Sequence, residues 1–258
     1  MWEEICKIIA KIVELFYLPL QDWGMAIIVF TIVFRLLLMP LMLSQTKSSF
    51  MMQKVQPKLK DIQTRYEGDP VRIQEETQKL YADAKFNPLA SCIPMLIQMP
   101  IFIALFQVLR NIQSFLPQYD HFCFYNIVPN LLATPSEVME QGVSAFIPYG
   151  VLIVIFVGAT FLPMLLQQMG NKDTSQRNQM YIMSIIMGVM MLFVSWSSPA
   201  GVLLFWGVSG IIATITQQAY MRILKKKAAD EENEQIEVQP IKVEVERKVK
   251  KKRPTKKR

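Results

Sequence analysis

The chain is 258 residues long, 52% hydrophobic and only 19% charged, with a formal net charge of +7 and a positive mean hydropathy. Soluble domains carry about a quarter charged residues, whereas here long uncharged stretches alternate with dense charged ones, as in a protein divided between lipid and water. With His121 the only histidine and no glycine-rich phosphate loop, the sequence has no material for a Ser-His-Asp triad, a His-based metal site or nucleotide hydrolysis, and no cofactor is expected.

The first residues, Met1-Trp2-Glu3-Glu4, are acidic where a cleavable leader would be basic, so no signal peptide is expected. Residues 5–16 repeat apolar side chains at Ile5, Ile8, Ile9, Ile12, Val13 and Phe16, with Glu3, Lys7, Lys11 and Glu14 on the other face. Such a helix is too short and too charged to span, and should lie in the membrane interface within residues 1–20, stopped by Pro19. A first span is expected over 23–43. The next segment, 44–86, reads as a helical hairpin. Met51, Val55, Leu59, Ile62 and Tyr66 mark one apolar seam, Glu67-Gly68-Asp69-Pro70 a turn, and Ile73, Leu80, Tyr81 and Ala84 a second seam, with Pro57 kinking the first helix.

A second span, 93–112, is interrupted by Pro94, Gln98 and Pro100. The segment 113–145 should be irregular, with one short helix near 135–141. Spans at 146–167, 180–197 and 202–221 follow, completing a core over 21–222. Met180, Met183, Met187, Met190 and Met191 crowd the fourth span; flexible thioethers suit a surface that accepts many apolar sequences, although lipid-facing filler accounts for most. The remainder, 223–258, with nine basic residues in the twelve of 247–258, is expected to be a disordered basic cytoplasmic tail. The fold class is thus an all-α membrane protein with five transmembrane helices, an N-terminal interfacial amphipathic helix and a cytoplasmic helical hairpin.

Lysine and arginine set the orientation. Residues 44–92 hold eight, the 168–179 loop two and the tail from Arg222 fourteen, against only Lys7 and Lys11 on the other side and none in 113–145 or 198–201. The N-terminus is therefore expected outside and the C-terminus inside. Cys6, Cys92 and Cys123 have no metal-ligand spacing; a Cys6–Cys123 bridge on the outer side is one option and free thiols the plainer one.

Arg35 falls in the middle of the first span, and no acidic residue lies in any of the five. Its guanidinium keeps its proton, with a pKa above about 12, and insertion scales place its cost at the bilayer centre at roughly 2.5–3.5 kcal/mol. Either a polar, water-filled cavity solvates it, or backbone groups satisfy it and it merely joins helices. Intramembrane charges usually mark a pathway or site, which favours the cavity. Thr31 lies one turn before it on the same face, and Gln98, Thr214, Thr216 and Gln217 are further polar candidates. Met99-Pro100 and Pro94 either free backbone groups for a nearby cavity or kink the second span between packed helices.

Four stretches in order, Thr31-Ile32-Val33-Phe34-Arg35 with Pro40 and Lys47-Ser48-Ser49, Gln56-Pro57-Lys58, Asn87 through Phe102, and Pro199-Ala200-Gly201 through Phe205-Trp206 to Gln217-Gln218, give a chain that resembles the YidC/Oxa/Alb family of membrane protein insertases. The resemblance covers about 17–227 and is to the compact form without a large periplasmic domain. It implies five spans around a hydrophilic groove open to cytoplasm and lipid. Arg35 would be the groove's cation, Thr31 its neighbour, Met99 and Pro100 contact positions, and 44–86 the hairpin that receives substrate. The implied function is a non-enzymatic insertase and chaperone in the bacterial plasma membrane, taking nascent membrane proteins without nucleotide hydrolysis. The Sec translocon is a partner the sequence leaves undecided, and the basic tail suits ribosomal RNA or anionic lipids equally. The alternative, a small-solute (anion) transporter using Arg35, should show inverted repeats, and none is visible.

Overall fold

In the computed structural model, residues 2–84, 93–168 and 174–238 are described, and among them every regular element is helical apart from one isolated bridge, Phe124 to Val128. The helices are α1 (Trp2–Leu20), α2 (Trp23–Leu37), α3 (Met39–Arg65), α4 (Pro70–Asp83), α5 (Ile93–Arg110), α6 (Ile112–Phe115), α7 (Pro135–Glu140), α8 (Val143–Gln168), α9 (Thr174–Trp196) and α10 (Ala200–Val238). The chain divides into two units, Met1–Met221 and Arg222–Arg258.

Three stripes divide the surface of α1. Cys6, Ala10 and Val13 are buried, Ile5, Ile8, Ile12 and Leu15 are exposed, and the charges of Glu3, Glu4, Lys7 and Lys11 form the third. Small side chains therefore pack on protein while the large aliphatic ones that define the sequence's apolar face look outward, which lets one helix meet protein, lipid and water at once. Gln21, at φ 51, ends α1 by donating its N–H to the Tyr17 carbonyl at 2.7 Å. The next helix then departs at 118°.

Asp22, 3% exposed, caps α2: one carboxylate oxygen accepts from the Met25 N–H at 2.8 Å and the other from the Tyr125 N–H. The expected first span is not one helix but breaks at Leu38, just before Pro40, whose ring disfavours an uninterrupted helix and which falls in the first turn of α3. Helix α3 then runs through Pro57 to Arg65, and α4 packs against it after a turn in which Gly68 takes φ +91 and Asp69 caps through the Arg72 N–H. Residues 85–92, with Asn87-Pro88 and Cys92, lie outside the described residues.

The segment between α6 and α7 is a packed cap. Leu116, Phe122, Val128 and Leu131 are buried in the common core. The carbonyls of Ala133 and Leu131 take the first N–H groups of α10, from Ala200 at 3.0 Å and Gly201 at 2.8 Å, and that of Asn130 takes the Tyr149 hydroxyl of α8 at 2.8 Å. Trp23 stacks on Tyr17 at 4.2 Å and meets Tyr119 and Phe122 edge-on or tilted. The cap is thus tied to α2, α8 and α10, with α7 as its one expected short helix and α6 as an unexpected second. Cys6 and Cys123 are free thiols, and Cys6 contacts the Gln107 side-chain oxygen instead.

Among the described residues two helical stretches are long and apolar enough to cross a membrane, Val143–Leu162 and Ala200–Glu231, and a third if α1 and α2 are counted together; Tyr181–Trp196 and Met99–Arg110 are apolar but shorter. The tail departs from expectation. Instead of ending at 221, α10 continues to Val238, so 223–238 is helical rather than disordered. Lys226 and Lys227 stand four residues before Asp230 and Glu231 in a run of strong helix formers, a pattern that supports a helix without a core. Residues 239–258 lie outside the described residues.

The tightest fit at the cap is Gly24, where an added Cβ would fall 2.2 Å from the Phe124 ring. Gly24→Ala should lower the thermal unfolding midpoint in detergent, at a cost of about 1–3 kcal/mol. Adding Phe124→Ala should restore part of it. Strictly additive effects in the double variant would exclude the contact.

Candidate functional site

Arg35 lies twelve residues beyond Trp23, about 18 Å along α2 from the cap at 1.5 Å per residue. Its side chain is half-buried and turns towards α10. Nε donates to the Ser209 hydroxyl at 2.5 Å, and one terminal nitrogen approaches the Met42 sulfur, across the Leu38 break, at 3.6 Å. A guanidinium carries five N–H groups. The other three have no partner among the described residues, and neither does the charge: the ion pairs there, such as Lys7–Glu3, Arg72–Asp69 and Lys79–Glu76, lie elsewhere.

A charge-assisted hydrogen bond contributes only about 1.5–3 kcal/mol. Placing an arginine at the bilayer centre costs at least that, and roughly 10–17 kcal/mol where simulations treat an isolated helix. Ser209 and a thioether do not close that gap. Beside Arg35 lies a cavity of about 230 Å³ bounded by Phe156 and Thr160 of α8, Met191 of α9, and Trp206 and Gly210 of α10.

Packing keeps this space open. Phe156 and Trp206 stack at 5.0 Å and 8°, forming a flat wall. Gly207 and Gly210 bring α10 close to α8, where a Cβ on either would come within 2.9 Å of Ile155 or Ala159. Thr160 and Thr214 return their hydroxyls to their own helices, to the Phe156 and Gly210 carbonyls at 2.8 Å each, and so bring no unpaired donor.

The residues singled out by sequence are spread apart. Thr31 is fully buried and donates to the Ile27 carbonyl at 2.6 Å, outside the lining. Gln217 is half-buried two turns beyond Gly210 on α10. Met99 and Pro100 are exposed on α5, also outside the lining, and the Gln98 side chain lies outside the described residues. Of the methionines, Met191 reaches the cavity while Met183 and Met190 face outward. Ser209, the direct partner, escapes sequence reading; its only signal is the small-residue run Gly207, Ser209, Gly210 inside an apolar span.

Because Arg35 carries a partly desolvated charge without a counter-ion, Arg35→Met should raise the thermal midpoint in detergent. Replacing buried charge by an apolar side chain of similar volume is often stabilising by about 1–4 kcal/mol. A clear fall in midpoint would instead make Arg35 a structural strut.

Comparison with known proteins gives the chain's family. The model of the 60Kd inner membrane protein family matches residues 15–230. The chain is 36% identical to the membrane protein insertase YidC of Fusobacterium nucleatum over 78% of its own length and 87% of that protein. To the membrane protein insertase YidC of Endomicrobium trichonymphae it is 34% identical over 84% of its length but only 39% of that relative, and it spans little more than a third of several others. A crystal structure of an active YidC insertase with its first transmembrane domain resolved superposes with a TM-score of 0.61 at 28% identity, covering 83% of this chain and 46% of that one.

Proposed function

Since the chain belongs to the 60Kd inner membrane protein family, that of the YidC membrane protein insertases, we propose that it inserts nascent membrane proteins into the bilayer by way of the cavity at Arg35. The observation that carries this reading is a permanent cation, with three N–H groups unpartnered among the described residues, lining a space between four helices. The five spans are α2 with the start of α3, α5, α8, α9 and α10. The hairpin of α3 and α4 lies on the cytoplasmic side with the C-terminus, and α1 lies in the outer interface, as the lysine and arginine bias requires.

A client's polar outer tail enters from the cytoplasm, where water reaches the groove. An acidic group in that tail meets Arg35 instead of bare hydrocarbon. At an effective dielectric near 20, a carboxylate about 4 Å from the guanidinium is stabilised by roughly 4 kcal/mol. That offsets much of what the tail loses by leaving water, and the polar stretch need cross only the part of the membrane sealed by the cap. The client's apolar helix leaves along α8 and α10 into lipid, where transfer is favourable by about 25 cal/mol per Å². No nucleotide is hydrolysed. Burial of apolar surface supplies the drive, and the membrane potential adds to it for an acidic tail moving outward. The basic tail holds the ribosome or anionic lipid near the groove, and a Sec translocon serves clients with larger outer domains.

Arg35→Glu turns the attraction for an acidic client tail into repulsion of the same size. Insertion of such clients into proteoliposomes, read by protease protection, should fall at least tenfold, about 1.4 kcal/mol at the threshold, while clients with neutral outer tails lose much less. Equal loss for both classes would remove the charge from the mechanism. Anion flux without client protection would replace insertion by transport.

A further inference from the structure

A second cavity, of about 430 Å³, lies far along the chain from Arg35, between the carboxyl ends of α5 and α9. Its walls are apolar, from Ile103 and Phe106 on α5 and Phe193 on α9. Arg110, the last residue of α5, and Ser197, just beyond the end of α9, also line it. The volume falls within the roughly 300–1,000 Å³ of small-molecule sites, which pair apolar walls with a few placed polar groups.

Of the polar groups here, the Ser198 hydroxyl donates to the Val194 carbonyl at 2.7 Å, and Arg110 and Ser197 remain to meet a ligand. Arg110 makes no ion pair among the described residues, and its guanidinium lies over the Phe106 ring, 6.0 Å from the centroid. The Ser197 hydroxyl makes only long contacts with its own helix, 3.4 Å to the Val194 carbonyl and 3.5 Å to that of Phe193. Phe193 is 79% exposed and Ile103 41%, so the apolar wall opens sideways to the surroundings of the bundle. Trp196, beside Ser197, is also exposed, and tryptophan favours the headgroup level of a bilayer. Arg110 runs against the chain's own charge bias, since 113–145 contains no lysine or arginine.

We propose that this cavity binds one anionic phospholipid, its headgroup phosphate held by Arg110 and Ser197 and an acyl chain lying along Ile103, Phe106 and Phe193. A free anion would have no use for the apolar wall, and a neutral hydrocarbon none for the cation. Both helices present carbonyl-rich carboxyl ends here, which repel an anion, so the pocket depends on Arg110 for attraction. By the charge bias the bound lipid belongs to the outer leaflet.

Native mass spectrometry of the full chain in detergent, titrated with phosphatidylglycerol, phosphatidylcholine or inorganic phosphate, tests this without any client, so it stands apart from insertion. The wild-type chain should retain one phosphatidylglycerol in preference to phosphatidylcholine, and Arg110→Gln should weaken that retention at least roughly tenfold, as for loss of a charge-assisted hydrogen bond. Ile103→Trp, which fills the apolar cleft and keeps the cation, should weaken both lipids. Unchanged retention in either variant would overturn the proposal, as would displacement of the lipid by inorganic phosphate at equal concentration, the mark of a free-anion site.

Discussion

A guanidinium cannot shed its charge to suit its surroundings, and that constraint shapes the centre of this bundle. Arg35 has one hydroxyl and one thioether within reach, in a segment with no carboxylate. A histidine or lysine there would relieve the strain by losing a proton; arginine does not. Beside it lies the cavity against α8, α9 and α10, which the proposed function fills with water or an anionic group. Close helix packing and an open polar space are reconciled through Gly207 and Gly210, which hold α10 against α8 next to the void.

The two ends of the bundle are built differently. At the cap, orphan amides of α2 and α10 are paired with loop carbonyls or with the Asp22 carboxylate, and the aromatic cluster around Trp23 fills the space between. Around Arg35 no such lid is found among the described residues, and the chain passes through a helix break at Leu38 into α3. A polar path through a membrane needs one sealed and one accessible end to avoid becoming a leak, and the proposed groove would need such an asymmetry.

Much of the helix layout was readable from sequence because long apolar runs and the seams of α3 and α4 have strong periods. The short helix expected near 135–141 is present at 135–140, and its structure shows the local cause, the Thr134–Glu137 capping box. The helix break at Leu38 was missed because apolar periodicity runs smoothly through it. The outward turn of Ile5, Ile8 and Ile12 suits the expected interfacial helix, whereas the buried stripe of Cys6, Ala10 and Val13 was not foreseen, because a moment shows that a helix is two-sided, not which sector meets protein. Arg35 stood out at once as a charge in hydrocarbon, whereas Ser209 did not. A lone serine among apolar residues carries its meaning only once another helix brings a partner to it. Thr31 shows the reverse: same-face spacing put it near Arg35, but its hydroxyl was satisfied by its own helix.

The bonds from the Leu131 and Ala133 carbonyls to the first turn of α10 have a mechanical corollary. They pin α10 at one end to the same loop that holds α2 through Asp22 and Gly24. Relative movement of those two helices is then least at the pin and grows with distance from it, as between the jaws of tweezers. Any widening beside Arg35 would then come by splaying, with the hinge already tied in backbone hydrogen bonds, and not by sliding one helix along another.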